Sequence, residues 1–271
     1  MSRPSFLALP RPIVTCIRRA ETVNQAVSTI KNGEFDGAPA FAVHLEGFDR
    51  ESLTDKNLHA IASATHRPVM FLRYRANMCP GDTTSLTDDE RADVLLRCIR
   101  CGAAAVDLTA DMFDASPLEF TANPAAVDKQ RRFIDDVHAL GGECVMSSHI
   151  YEPRTCEQVL EQMKAVEARG ADFAKIVTMV DTEEQFLDAI HTTLELHREM
   201  KIPFIHLCNG RFSRMHRFLS PALGNALTFC VWHYTEQYVS SQPPIQNMMT
   251  ILRNYDWHID YDIQEEVEHA I

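Results

Sequence analysis

Short apolar runs recur along the chain, and each run is followed by a stretch in which apolar residues repeat with helical spacing. A run of four to eight apolar residues is typical of a buried strand, whereas a longer amphipathic stretch is typical of a helix on a core. The pattern predicts strands at 13–18, 41–46, 69–74, 104–109, 144–149, 173–179, 204–208 and 226–232.

The stretches between these runs carry helix signals. Thr87 and Glu90 have the spacing of a capping box, and the stretch that begins at Thr155 ends at Gly170, as expected for a helix C-terminus. Helices are predicted at 21–32, 52–64, 87–97, 125–140, 155–170, 183–199 and 245–254.

Eight strands that alternate with helices are expected to pair in parallel through right-handed crossovers. The order therefore predicts a (β/α)8 TIM barrel that occupies residues 1–271 as a single domain, with 255–271 as a peripheral C-terminal tail. A doubly wound open sheet is the alternative. No glycine-rich dinucleotide or phosphate loop follows any predicted strand, which disfavours a nucleotide-binding protein.

Composition limits the class of protein further. The formal net charge of −12 disfavours general binding to nucleic acid or to an anionic membrane, although local arginines can still bind a small anion. The eight cysteines show no disulfide framework, and Cys98 and Cys101 lie late in a predicted helix, which favours reduced thiols over a zinc or redox motif. Because no export signal or bilayer-length apolar segment is found, we expect a cytoplasmic protein.

Polar side chains end most of the predicted strands. Active sites of (β/α)8 barrels lie at the carboxyl ends of the strands, and residues two apart in a strand share a face. His44 and Glu46, like Arg73 and Arg75, are therefore expected to point together into the mouth. The complete predicted ring is His44, Glu46, Arg73, Arg75, Asp107, Thr109, His149, Lys175 and His206.

Three connections are expected to lie over this ring as lids. The segments 76–86 and 109–124 are long, and the stretch 240–246 contains two adjacent prolines that cannot continue a helix.

Lys175 and His149 indicate the chemistry. Lys175 stands among apolar residues in its predicted strand, and an amine that loses hydration has its pKa lowered and its lone pair freed to attack a carbonyl carbon. His149 ends the preceding strand, from which an imidazole can move protons beside an iminium. Alternatively, Lys175 extends to solvent and His149 is a hydrogen-bonded core histidine; their joint placement favours carbonyl chemistry without metal or organic cofactor.

The order of motifs resembles the type I 3-dehydroquinate dehydratase family. The resemblance rests on Ser147-Ser148-His149 at one strand end, on Gly170-Ala171-Asp172-Phe173-Ala174-Lys175-Ile176, and on Gly210, Arg217 and the run Gly224-Asn225-Ala226-Leu227-Thr228-Phe229. It covers roughly residues 10–255 and is most specific between 141 and 230.

The resemblance implies a role for each matched residue. Lys175 would form the imine and His149 would move the protons, while Arg217 would hold a substrate carboxylate through a planar guanidinium. The other implied substrate-binding residues are Arg73, Glu46 and Gln246, to which we add Arg75 because it is expected on the same face as Arg73.

The resemblance also implies a reaction. A lyase of this family removes water from 3-dehydroquinate through a Schiff base and gives 3-dehydroshikimate, in the shikimate pathway of aromatic amino acid biosynthesis. The expected partners are a small anionic keto acid and a second copy of the chain in a homodimer.

The chain departs from the family pattern at three positions. Phe48 stands where the family has a substrate-binding arginine, Asn77 stands where it has a glutamate that supports the histidine, and His216 stands where it has a serine. These departures indicate a divergent member.

Three other functions remain open at the level of the sequence. A class I aldolase would use the same lysine to cleave a carbon–carbon bond. A metal-dependent lyase or isomerase would use His44, Glu46, Asp107 and His206 as ligands. A pseudoenzyme or binding module would keep the barrel without turnover.

Overall fold

A computed structural model describes residues 3–75, 86–235 and 242–261. The described strands are β1 (Ile13–Arg19), β2 (Ala40–His44), β3 (Val69–Leu72), β4 (Ala105–Thr109), β5 (Glu143–His149), β6 (Phe173–Met179), β7 (Phe204–Asn209) and β8 (Leu227–Cys230). The helices are α1 (Val23–Phe35), α2 (Asp55–Ala62), α3 (Asp88–Arg100), α4 (Pro124–Ala139), α5 (Cys156–Glu167), α6 (Glu183–Glu199), α7 (Ser213–Leu219) and α8 (Ile245–Tyr255). No helix among these residues is long and apolar enough to cross a membrane.

The strands pair in parallel in chain order, and β8 pairs with β1. The backbone N–H of Ala226 donates to the carbonyl of Phe204 at 2.9 Å, which joins the last two strands and nearly closes the ring. The (β/α)8 barrel predicted from the alternation of elements is therefore confirmed. The single-domain boundary of 1–271 stays a prediction, because residues 262–271 of the expected tail lie outside the described residues.

Two sets of apolar side chains form the core. One set points into the barrel from alternate strand positions, for example Ile17, Phe173 and Ile205, and the other packs the outer faces of the strands against the helices. Phe6 is fully buried in the inner set, and its backbone N–H donates to Glu143 at the start of β5. The N-terminal segment therefore covers the end of the barrel opposite the mouth.

Helix α7 is the one described α-helix that the sequence pattern did not predict, because it is only seven residues long. It follows Gly210, whose φ of +94° lies in the left-handed region. A Cβ atom there would come within 2.7 Å of the carbonyl oxygen of Val180. This turn, which requires glycine, sends α7 back against β7, where it carries Arg217.

Candidate active site

The Lys175 side chain lies inside the barrel. Lys175 is at the same face of β6 as Phe173 and Val177, which belong to the inner apolar set, and it is 3% exposed. Its Nζ donates to the hydroxyl of Tyr74 at 2.8 Å and to Oδ2 of Asp107 at 2.9 Å. The burial expected from the apolar residues of its strand is found, and a buried carboxylate and a phenol also contact the amine.

Asp107 links three side chains in the mouth. Its carboxylate accepts hydrogen bonds from Tyr74, Lys175 and Ser147. Burial by itself would raise the pKa of Asp107, but the charge of Lys175 and the neighbouring His149 outweigh burial and hold that pKa below its usual value. Burial of the Tyr74 side chain and the neighbouring charge of Asp107 raise the pKa of Tyr74 well above 10, so Tyr74 remains a neutral phenol.

His149 ends β5, and the Tyr74 ring packs edge-on against it at 4.8 Å between centroids. Burial and the charge of Lys175 lower the pKa of His149 well below its usual value, so its imidazole is neutral at neutral pH and can accept a proton. The Nδ1 atom of His149 lies 2.9 Å from Oε2 of Glu119, a residue of the connection between β4 and α4. Burial raises the pKa of Glu119 to about 8.

Glu46 and His44 contact each other, as their two-residue spacing predicted. The Nδ1 atom of His44 lies 3.1 Å from Oε2 of Glu46, and Glu46 also accepts from the backbone N–H of Tyr74 at 2.6 Å. Burial alone would raise the pKa of Glu46. His44 and the hydrogen bonds have the larger, opposite effect, and the net pKa lies below its usual value. Glu46 therefore remains an anion at the mouth.

Arg73 and Arg75 have different surroundings. Arg73 is 1% exposed, and its guanidinium donates to the carbonyl of Leu45. Arg75 forms ion pairs with Asp111 at 2.5 Å and with Asp88, which begins α3, at 2.8 Å. The shared mouth position of these two arginines stays a prediction, and acidic side chains bind both ends of the Arg75 guanidinium.

Arg217 is buried between α7 and β7. Its Nε donates to the carbonyl of Cys208 at 3.1 Å and its Nη2 to the side chain of Asn209 at 3.3 Å. Its Nη1 has no partner among the described residues. Burial lowers the pKa of Arg217 to about 10, and the group therefore stays charged at neutral pH. The charge of Arg217 is one of the causes that lower the pKa of His149, after burial and Lys175.

Gln246 is not brought into this cluster. It is exposed in the first turn of α8, and its amide donates to Asp36 at 3.0 Å. Asp36 caps the C-terminal end of α1 and also accepts a hydrogen bond from Trp232, which follows β8. The other loop residues on which lids were predicted, 76–85 and 240–241, lie outside the described residues, as does Asn77.

The metal-ligand set considered from the sequence is not assembled. The side chain of His206 is on the same outer face of β7 as that of Cys208, and its Nδ1 lies 2.9 Å from the hydroxyl of Thr193 on α6. His206, Cys208 and His216 form a different cluster behind the barrel wall, with ligand atoms within 4.8 Å of one another. The positive charge of Arg217 couples to both Cys208 and His216, which disfavours a cation there.

Sequence reasoning missed three residues of the mouth. Tyr74 was not singled out because a tyrosine at a strand end is typical of packing, and Glu119 was not singled out because a charged loop residue is typical of a solvated surface. Arg19 ends β1 beside His44, with which it is paired in register. Its strand parity, shared with Ile17, is the signal that could have found it.

Comparison with known proteins identifies the family. A family model described as type I 3-dehydroquinase matches residues 14–256. The chain belongs to the type I 3-dehydroquinase family.

Relatives in this family are distant. A 3-dehydroquinate dehydratase of Aromatoleum aromaticum is 25% identical over 186 residues, which are 68% of this chain and 66% of that protein. One from Geobacillus kaustophilus is 33% identical over 125 residues, 44% of this chain and 48% of that protein. One from Neisseria gonorrhoeae is 24% identical over 213 residues, 78% and 79% of the two chains. The first two matches thus span about half to two thirds of those dehydratases.

Solved structures of dehydroquinases share the fold. The crystal structure of 3-dehydroquinate dehydratase from Geobacillus kaustophilus aligns with a TM-score of 0.76 at 20% identity and covers 90% of this chain and 92% of that chain. The type I enzyme from Clostridium difficile, whose structure holds covalently modified comenic acid, aligns with a TM-score of 0.77 at 15% identity and 91% and 93% coverage. The resemblance seen in the sequence motifs is confirmed.

One departure from the family pattern has a structural explanation. Phe48 is 2% exposed and belongs to the outer apolar core rather than to the mouth. No guanidinium can therefore come from that position.

Proposed function

We propose that this chain removes water from 3-dehydroquinate to give 3-dehydroshikimate, through a Schiff base on Lys175. The observation that carries the proposal is the pairing of a buried lysine inside the barrel with a neutral histidine on the next strand. Ser147, two residues before His149, is in register with Lys175, so both functional side chains rise from the same wall of the barrel. Family membership supports the same reaction.

The reaction needs no redox partner. The amine of Lys175 adds to the ketone carbon, and the adduct loses water to give an iminium. The positive nitrogen acidifies the adjacent C–H, and His149 takes that proton while the electron pair moves toward the iminium. His149 then returns the proton to the β-hydroxyl, which leaves as water. Hydrolysis of the product imine restores the amine and releases the enone.

Asp107 and Tyr74 prepare the lysine for the first step. These two groups hold Nζ of Lys175 at 2.9 and 2.8 Å, and the neutral His149 is the base that takes the proton which Nζ must lose before it attacks. Because all three side chains are nearly excluded from solvent, the position of the amine is fixed before the ketone arrives.

Arg217 supplies the charge that a carboxylated substrate needs. Its Nη1 is buried and has no partner in the described part of the chain, whereas its other nitrogens are anchored to β7. A substrate carboxylate would satisfy that N–H with a charge-assisted hydrogen bond. Arg73 and Glu46 are proposed as further substrate contacts, with Arg75 and Gln246 reaching the ligand only if their present ion pair and hydrogen bond open.

Borohydride trapping tests the proposal. Incubation with 3-dehydroquinate and borohydride should add the ligand mass to the peptide that contains Lys175 in the wild-type protein and not in Lys175→Met. Without borohydride, the enone should appear by ultraviolet absorbance. Absence of both signals contradicts the proposal and favours a binding module, whereas trapping with carbon–carbon cleavage products identifies an aldolase. Turnover that a chelator abolishes identifies a metal-dependent enzyme.

A homodimer in the cytoplasm is our proposal for the working form. The seven cysteines that the structure describes are all free thiols, which supports a reducing compartment. Phe35 is 92% exposed at the end of α1, and a second copy of the chain would remove it from water. Analytical ultracentrifugation tests the dimer, and a monomer at micromolar concentration contradicts it.

A further inference from the structure

The carboxylate that contacts His149 comes from the connection between β4 and α4. Oε2 of Glu119 lies 2.9 Å from Nδ1 of His149 and accepts the backbone N–H of the same histidine at 2.6 Å. The Glu119 side chain is only 5% exposed. In the described part of the chain, no other carboxylate is hydrogen bonded to His149.

This contact assigns the protons of the imidazole. A carboxylate oxygen can only accept, so the ring nitrogen facing it carries its hydrogen when Glu119 is ionised. Nδ1–H of His149 then donates to Glu119, and the lone pair stands on Nε2, at the other side of the ring. A general base that is oriented by a third group in this way has its reactive nitrogen fixed before substrate binds.

The backbone around Glu119 is held in place from several elements. Glu119 has a φ of +45°, in the left-handed region that is strained for a residue with a Cβ atom. The hydroxyl of Ser148 donates to the carbonyl of Glu119 at 2.7 Å, and Gln162 of α5 donates to that hydroxyl at 2.8 Å. Arg169 donates to the carbonyl of Thr121 at 2.6 Å. Strain that neighbouring elements maintain is typical of a functional position.

We propose that Glu119 is the positioning residue for His149 in the dehydration, an inference that rests on the proposed function. Glu119 holds Nδ1–H so that Nε2 takes the substrate proton, and it stabilises the imidazolium that exists until that proton returns with the leaving hydroxyl. Glu119 forms no bond to substrate. The family pattern expects its glutamate at position 77, where this chain has Asn77, and Glu119 supplies a carboxylate from a different connection.

The charged groups around Glu119 give the proposal a pH signature. Asp111 in the same connection and Asp107 on β4 oppose its ionisation, Lys175 on β6 favours it, and the neutral His149 on β5 faces it. Burial contributes most, and the pKa of Glu119 reaches about 8. Ionised Glu119 makes His149 a stronger base, so kcat/KM should rise as pH passes 8.

The test compares Glu119→Gln with the wild-type protein between pH 6 and pH 9. Glutamine keeps the size and the acceptor oxygen but cannot ionise, so the ratio of wild-type to variant kcat/KM should grow from about one at pH 6 to about 10–100 at pH 9. Borohydride trapping at Lys175 should be unchanged. Asp114→Asn is the matched control, because Asp114 bonds Thr121 in the same connection without contacting His149; its ratio should not vary with pH.

Each result separates this proposal from the proposed function. Normal trapping with a pH-independent ratio for Glu119→Gln overturns the role of Glu119 alone, while failure of the wild-type protein to be trapped overturns the Schiff-base reaction itself. A direct measurement does not need catalysis: at pH 9, where Glu119 is ionised, ¹⁵N spectra of the neutral His149 in the free protein should show hydrogen on Nδ1. Hydrogen on Nε2 overturns the proposal.

A second inference concerns Arg19, the last residue of β1. It has the inward parity of Ile13 and Ile17, and its register partner is His44 of the mouth. Its Nη2 is buried without a hydrogen-bond partner in the described residues. A buried guanidinium nitrogen without an acceptor favours an anionic or hydroxyl-rich ligand.

We infer that Arg19 is a substrate-binding residue of the same proposed reaction, and that it replaces the guanidinium absent at Phe48. The adjacent Arg18 is the control for position: its Nε is also buried without a partner in the described residues, but its side chain is on the outer face of β1 with Val14 and Cys16 and lines a cleft with Thr29 of α1. Arg19→Met should raise KM about tenfold or more, whereas Arg18→Met should change it less than twofold. Equal effects of the two substitutions, or an unchanged KM in Arg19→Met with normal trapping at Lys175, overturn the assignment.

Discussion

Oδ2 of Asp107 lies 2.9 Å from Nζ of Lys175 inside the barrel, where both side chains are almost fully excluded from solvent. Removing one member of such a buried pair leaves the other charge uncompensated, which costs about 3–5 kcal/mol. We therefore expect Asp107→Asn and Lys175→Met each to lower the free energy of unfolding, and the double variant to lower it by less than the sum. Urea denaturation of the four proteins measures the coupling; strict additivity would contradict a direct pair.

Turnover measurements on two variants should distinguish the role of Lys175 from the role of His149. Lys175→Ala should abolish both trapping and product formation, since no other amine contacts Asp107 in the described structure. His149→Ala should still form the imine but should slow elimination by roughly 10²–10⁴-fold, the usual worth of a positioned acid or base. Single-turnover absorbance follows the elimination step. Wild-type turnover in the histidine variant would remove His149 from the mechanism.

Specificity should depend on Arg217. A charge-assisted hydrogen bond contributes about 1.5–3 kcal/mol, so Arg217→Ala should lower kcat/KM at least about tenfold for the carboxylated ketone. An amide analogue should lose much less. Arg211→Ala provides the control, because Arg211 is exposed in the turn before α7. Equal losses on the acid and the amide would mean that Arg217 supports only the fold.

The buried carboxyl of Glu119 should make stability depend on pH. Its pKa rises from the usual 4.5 to about 8 in the folded protein, so the folded state binds more protons than the unfolded state between these values. The favourable contribution is complete below pH 4.5 and is lost as pH rises to about 8. Relative to Glu119→Gln, the wild-type protein should lose stability across this window, by up to a few kcal/mol. Thermal melting at pH 5 and pH 9 measures the difference; a constant gap would contradict the shift.

The sequence predicted the barrel because strand and helix periods alternate along it, and the order of the strands leaves few ways to close a sheet. It also predicted Lys175 and His149 inside one wall, because strand parity determines which face a residue occupies. Helix α7 was missed because seven residues carry too little periodicity to be distinguished from a loop.

The partners of these residues were not predictable in the same way. Glu119 and His149 are 30 positions apart, and their contact depends on how a long connection folds over the mouth. Asp107 was predicted at a strand end, but its contact with Lys175 depends on two strands that lie two places apart in the ring. Side-chain reach across the barrel, rather than local pattern, decides both contacts.

Phe6 covers the end of the barrel opposite Lys175. Its position there limits the routes by which small molecules can reach and leave the lysine. In the described part of the chain, the proposed ligand, the water that would hydrolyse the product imine and the enone would all pass through the opening at the strand carboxyl ends. A product that lingers there blocks both the next ketone and the water that frees Lys175. Product release, rather than the chemical step, would then limit the rate at high substrate concentration.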